Sequence, residues 1–165
     1  MKNINFDTIY SILESSFEPF LHRGYERQKN LLHKDNYNII TYEENNEILG
    51  FLSYWELDKN MLFVEHFAVN PKKRGSGIGK KIFNDFLSLE GDKFLEVEPP
   101  HTEIDKKRID LYKSFGFVFN ENEYYQSVYN KGDSKTRLHI MSSREIDEKT
   151  FNTVATKIHS LENNI

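Results

Sequence analysis

Apolar positions change period along this chain, and each change marks an element. Ile9, Tyr10, Ile12, Leu13, Phe17 and Phe20 recur at helical spacing and predict a first helix ending near Pro19, with a second over Glu26 to His33. β-rich runs follow. Tyr37 to Tyr42 and Leu49 to Leu57 flank the polar stretch Glu43 to Glu47, and Met61 to Val69 follows the turn Asp58-Lys59-Asn60, which predicts an antiparallel meander. After Pro71 the period returns to that of a helix, with Ile78, Ile82, Phe83, Phe86 and Leu87 on one face as far as about Leu89. Phe94 to Glu98 then reads as a strand. Ile104, Leu111, Tyr112 and Phe115 mark a helix closed by Gly116, and strands are predicted near Phe117 to Tyr125 and Arg137 to Met141. A final helix from about Ile146 carries Phe151, Val154, Ile158, Leu161 and Ile165 in a narrow seam, with Ser142 and Glu145 at capping-box spacing before it. That seam suits packing on its own sheet, and it equally fits a second subunit in a homodimer.

The strand–helix–strand passage from Met61 to Glu98 implies one parallel pairing in an otherwise antiparallel sheet, hence an α+β fold with helices on both faces. At 165 residues, with no repeat or linker, the chain reads as one domain over residues 1–165. Thirteen Phe, nine Tyr and one Trp supply a core despite 29% charged residues. No run reaches the ~18 to 20 apolar residues of a membrane span, and the start of the chain lacks an apolar signal region, so a cytoplasmic location and no membrane partner are expected. The absence of cysteine excludes disulfides and thiolate chemistry, and six scattered His without a His-x-x-x-His pair argue against a metal site. A net charge of -4 argues against nucleic acid as partner.

The most specific signal lies between a strand and a helix, in Arg74-Gly75-Ser76-Gly77-Ile78-Gly79-Lys80. Three glycines in five residues let backbone N–H groups face a ligand, and a helix start adds positive charge at the same place, which together make a phosphate cradle. Lys72, Lys73, Arg74, Lys80 and Lys81 form a basic island with no acid among them. A P-loop does not fit, because Arg74 stands where its first Gly would be and Lys81 replaces the hydroxyl residue that holds magnesium. The dinucleotide fingerprint fails on spacing.

Arg-x-x-Gly-x-Gly at Arg74 to Gly79 resembles the acetyl-CoA pyrophosphate loop of the GNAT N-acetyltransferase superfamily. Phe63 to Pro71 upstream, and Leu95-Glu96-Val97-Glu98 with Leu111 to Phe117 downstream, are similar to that superfamily's fourth strand, fifth strand and following helix. The likeness covers roughly residues 49 to 119, and it leaves only Met1 to Phe6 for the superfamily's first strand. It implies a mixed sheet with splayed central strands, acetyl-CoA as cosubstrate and a primary amine, on a small molecule or peptide, as acceptor. By the same likeness Phe67, Ala68 and Val69 would pair with the pantetheine arm, Arg74, Gly75, Ser76, Gly77, Ile78, Gly79 and Lys80 would hold the pyrophosphate, and Tyr112 would protonate the departing thiolate. A module that binds CoA without turnover is the alternative function.

An amine acceptor also requires a base, since the neutral form of a lysine-like amine costs about 4.6 kcal/mol at pH 7. Glu65, Glu96 and Glu98 are acids in strands predicted to be mostly buried, with Glu65 ranked first and Glu98 second. The competing explanation for each is an ordinary ion pair with Lys107 or Arg108. His66 alternates with Glu65 along the strand and reads as a core residue on the opposite face.

Overall fold

A computed structural model describes residues 4–165. It contains α1 (Phe6–Ser16), α2 (Tyr25–Asn30), β1 (Tyr37–Glu44), β2 (Glu47–Asp58), β3 (Met61–Val69), α3 (Ile78–Leu87), β4 (Asp92–Val97), α4 (Glu103–Ser114), β5 (Val118–Phe119), β6 (Tyr124–Tyr125), β7 (Arg137–Ser142) and α5 (Glu148–Glu162). Two compact units share these elements, one running to Glu56 and resuming over Val64–Glu90, the other made of Leu57–Phe63 and Gly91–Ile165. β2 and β3 each have residues in both.

In the first unit β1 and β2 pair antiparallel from Tyr37↔Trp55 to Glu44↔Glu47. Asn45 and Asn46 turn the hairpin at φ of 52° and 62°, a left-handed pair that asparagine tolerates better than other side-chain-bearing residues. β2 is buried without interruption from Ile48 to Trp55, so it needs cover on both faces. α1 supplies one cover, with Phe6, Ile9, Tyr10, Ile12 and Leu13 clustered against Ile48, Phe51 and Ala68. α3 supplies the other: Phe86 meets Tyr54 at 5.4 Å between ring centroids and Phe83 meets Phe67 at 5.5 Å.

In the second unit β4 and β5 each pair antiparallel with β7, and β6 pairs with β7 further along. β4 begins beside the start of β3, with Asp92 N donating to Asn60 O at 2.8 Å, so these two strands run parallel as the crossover helix requires. α5 buries Phe151, Val154 and Ile158, and Phe151 meets the Tyr124 ring edge-on. These three residues of the α5 seam pack within their own chain, while Leu161 and Ile165 are only partly buried. Gly91, at φ 105°, leads into β4 so tightly that an added Cβ would lie 2.9 Å from Asn60 O. Gly91→Ala is expected to cost about 2–4 kcal/mol, read from the urea midpoint. Gly132→Ala, at φ 93° but in open space, isolates the backbone strain and should cost only about 1 kcal/mol.

Several boundaries differ from the sequence pattern. Of the stretch left for a first strand, Phe6 opens α1 under an Asn5 cap and Ile4 is in neither helix nor strand, while Met1 to Asn3 lie outside the described residues. The second helix is α-helical only to Asn30 and tightens into a 3₁₀ turn over Leu31–His33. The strand expected over Phe117 to Tyr125 is two short strands, because the buried Asn120 amide turns in to Ile140 O at 2.9 Å and Ser142 Oγ at 3.1 Å. α5 is capped by Asp147, which accepts from Thr150 N at 2.7 Å, while Ser142 belongs to β7.

Candidate functional site

The chain leaves β3 at Val69 through a tight, well-bonded bend. Asn70 accepts from Lys72 N at 3.0 Å, Pro71–Lys73 form one 3₁₀ turn, and Ser76 Oγ donates to Lys73 O. Gly75 at φ 80° and Gly77 at φ 83° then reverse the backbone in a region that side-chain-bearing residues avoid. Gly77 occupies the N-cap of α3 without any side-chain cap bond, and the first internal helix bond is Lys81 N to Gly77 O at 3.2 Å. The N–H groups of Ile78, Gly79 and Lys80 therefore face outward with no acceptor inside the helix, at its positive end. Gly79 lets the helix ride close on β3, since a Cβ there would touch Phe67 Cζ and Val69 Cγ2 at 3.4 Å each. Lys72, Lys73, Arg74, Lys80 and Lys81 are all exposed around this bend. Arg74 donates to Ser16 Oγ at 3.1 Å, at the end of α1, and not to a carboxylate.

Glu65 lies two residues before Phe67 on β3, and its side chain is only 1% exposed. Its Oε1 accepts from Arg23 Nη2 at 2.8 Å and Trp55 Nε1 at 3.0 Å, while Oε2 accepts from Gln28 Nε2 at 3.4 Å. Arg23 also donates to Gln28 Oε1, and Gln28 to the Tyr37 hydroxyl at 3.1 Å. The His66 ring, expected on the other face, comes within 3.6 Å of Glu65 Oε2 and bonds Leu21 O at 2.9 Å through Nε2. Burial alone would raise the Glu65 carboxyl, but the Arg23 guanidinium and His66 outweigh it and hold the group far below the usual carboxylate range. Such an anion is a poor proton acceptor at neutral pH. The ion-pair partner of Glu65 is Arg23, not Lys107 or Arg108 as expected. Nothing in the sequence points to Arg23, which sits in a loop 42 residues away.

The second unit holds Glu98 and Tyr112. Glu98 follows the end of β4 and is half-buried; burial first, then the nearby Asp105 carboxyl, raise its own carboxyl, and Arg108 partly offsets them. Asp105 stands in the first turn of α4 in a capping box: Thr102 N donates to Asp105 Oδ2 at 3.0 Å, and Asp105 N donates to Thr102 Oγ1 at 3.1 Å. Asp105, Arg108 and Tyr112 lie three and four residues apart, along one side of the helix. Tyr112 is 9% exposed and packs edge-on to Phe117 at 6.2 Å. Burial pushes its phenol up to about 12 against a smaller opposing effect of Arg108. Tyr124, a residue 2% exposed that the sequence pattern did not single out, has its phenol raised by burial first and then by the nearby Glu96 carboxylate. Among the described residues no group of three or more His, Asp or Glu is placed to hold a metal ion, and no helix is long and apolar enough to cross a membrane.

Known structures and families align with this arrangement. A protein from Bacteroides thetaiotaomicron assigned to the GNAT family superposes with a TM-score of 0.87 at 29% identity, over 97% of this chain and 92% of that one. The ribosomal-protein-S18-alanine N-acetyltransferase of Escherichia coli (TM-score 0.66, 16% identity, 90% and 94% covered) has the same fold. So does a GNAT family acetyltransferase of Elizabethkingia anophelis with acetyl-CoA bound (0.58, 15%, 87% and 92%). No curated protein matches the sequence. The family model described as Acetyltransferase (GNAT) family matches residues 6–117, well over half of the chain, and so this protein belongs to the GNAT family of acetyltransferases.

Proposed function

We propose that this acetyltransferase moves the acetyl group of acetyl-CoA to a primary amine by direct attack. The observation that carries the reading is the bend from Arg74 to Gly79, with two left-handed glycines and an uncapped helix start ringed by exposed cations. Backbone N–H groups there would grip the pyrophosphate, with Arg74, Ser76 and Lys80 around it and Ile78 seating the helix in the core. Phe67, Ala68 and Val69 would offer main-chain groups to the pantetheine arm, and an N–H at Ala68 or Val69 would steady the carbonyl oxygen as charge builds on it.

Glu98 is the base in this reading, acting through water, because its raised carboxyl accepts a proton more readily than the ion-paired Glu65. The ammonium gives one proton to Glu98 and the neutral amine forms the C–N bond; as the C–S bond breaks, the nitrogen loses its second proton to water and Tyr112 hydrogen-bonds the leaving sulfur, which water then protonates. Thermal unfolding tests the cosubstrate. Acetyl-CoA at 100 times its dissociation constant is expected to add about 2.7 kcal/mol, a rise of roughly 5 to 10 °C. No rise at any concentration would overturn the assignment. Thiol release over a panel of peptide and small-molecule amines then identifies the acceptor.

A further inference from the structure

We propose that Ser16, at the end of α1, is a positioning residue for acetyl-CoA: its hydroxyl holds the Arg74 guanidinium beside the glycine bend before the cosubstrate arrives. The inference rests on the reading of that bend as the pyrophosphate seat. Arg74 Nη2 donates to Ser16 Oγ at 3.1 Å, across 58 positions of sequence, although Arg74 is exposed. The Ser16 hydroxyl proton is already engaged, because Ser16 Oγ donates to Ile12 O at 2.7 Å. It therefore presents Arg74 with a lone pair of fixed direction. Ser15 makes the same kind of bond to Ile12 O, at 2.8 Å, and holds no arginine, so the turn of the helix does not itself need Arg74.

An exposed arginine has many rotamers, and a ligand that must order one binds more weakly for it. The end of α1 gives Arg74 a reason to settle in advance. α1 has no basic residue in its last turn, so its own sequence supplies no cation to its negative end. The 3₁₀ turn Pro71–Lys73 lies against α1 and brings Arg74 to that end. Across the bend, α3 has no acidic residue in its first turn, and its positive end stays open to an anion. One helix end holds the cation and the other faces the anion's place. The bond to Ser16 takes one of the five guanidinium N–H groups, and Arg74 makes no other hydrogen bond or ion pair among the described residues. The remaining donors are free for phosphate oxygens, so Ser16 can keep its hold while the cosubstrate is bound.

The test is the affinity for acetyl-CoA, measured by calorimetry. Arg74→Ala is expected to weaken binding about 10- to 100-fold, and Ser16→Ala about 3- to 10-fold. Ser15→Ala, which loses only the bond to Ile12 O, should bind as the wild type does. In the Arg74→Ala background Ser16→Ala should cause no further loss, because nothing remains for it to hold. If Ser16→Ala tightens binding, changes it no more than Ser15→Ala does, or weakens it equally with and without Arg74, the hydroxyl does not act through Arg74 and the proposal is overturned. If acetyl-CoA binds and Arg74→Ala leaves its affinity unchanged, this inference fails while the cosubstrate stands. If acetyl-CoA does not bind the wild type at all, the cosubstrate reading itself fails, and this inference with it.

Discussion

Arg23→Leu is expected to destabilise the protein by about 3–5 kcal/mol, a fall in Tm of roughly 6 to 20 °C for a chain of this length. The guanidinium is almost fully enclosed and is the cation bonded to Glu65 at 2.8 Å. Without it the Glu65 carboxylate stays in a site that offers only Trp55, Gln28 and His66, which cannot offset the cost of a buried charge. The double variant Arg23→Leu/Glu65→Leu removes both charges and should recover most of the loss, because an apolar pair of similar volume is often as stable as a buried ion pair. If the double variant is less stable than the single one, the charge account fails. Burial decides the size. The Arg144–Asp92 pair has the same 2.8 Å separation, but its side chains are 52% and 31% exposed, so Arg144→Ala should cost under about 1 kcal/mol.

The same network sets a pH dependence. The Glu65 carboxyl is lower in the folded state than its ordinary 4.5, so its contribution is complete above that value and is lost as the pH falls below it. Acid titration of Tm should therefore show a decline below about pH 4.5 that is shallower in the double variant, which keeps the lowered carboxyls of Asp58, Asp105 and Asp147.

What could be read in advance divides by the range of the interaction. The glycine bend was legible because left-handed backbone and an uncapped helix start are local demands, and Gly75, Gly77 and Gly79 state them within five residues. β1, β2 and β3 were legible for the same reason, since alternation and a continuous apolar run need no distant partner. The Arg23–Glu65 pair was not, because a loop arginine has no period and its carboxylate lies on a strand far along the chain. Ser142 and Glu145 had capping-box spacing, yet Ser142 pairs across β7 with Phe94 and Val118, and sheet pairing prevailed over a local cap. The break at Asn120 was hidden likewise: its amide answers groups on β7 that a reading of Phe117 to Tyr125 does not contain.

Tyr112→Phe is expected to lower kcat by roughly 10²- to 10³-fold while leaving the acetyl-CoA-induced rise in Tm intact. The lower part of the usual range for acid catalysis follows from the buried phenol. At about 12, against an ordinary thiol near 8.5, full transfer of its proton to a thiolate is uphill by roughly 4.8 kcal/mol. Tyr112 would therefore stabilise the leaving sulfur mainly by hydrogen bonding, with water completing protonation. Phenylalanine keeps the ring against Phe117, so packing is preserved and only the donor is lost. The hydroxyl also predicts an alkaline limit. A phenol raised from 10.0 to about 12 on folding contributes roughly 2.7 kcal/mol that is complete below pH 10 and disappears as the pH passes 12. The wild type should lose stability across that interval, and Tyr112→Phe should lose less. A variant that keeps kcat within twofold would remove Tyr112 from the chemistry, and one that titrates like the wild type would remove burial as the cause of its high pKa.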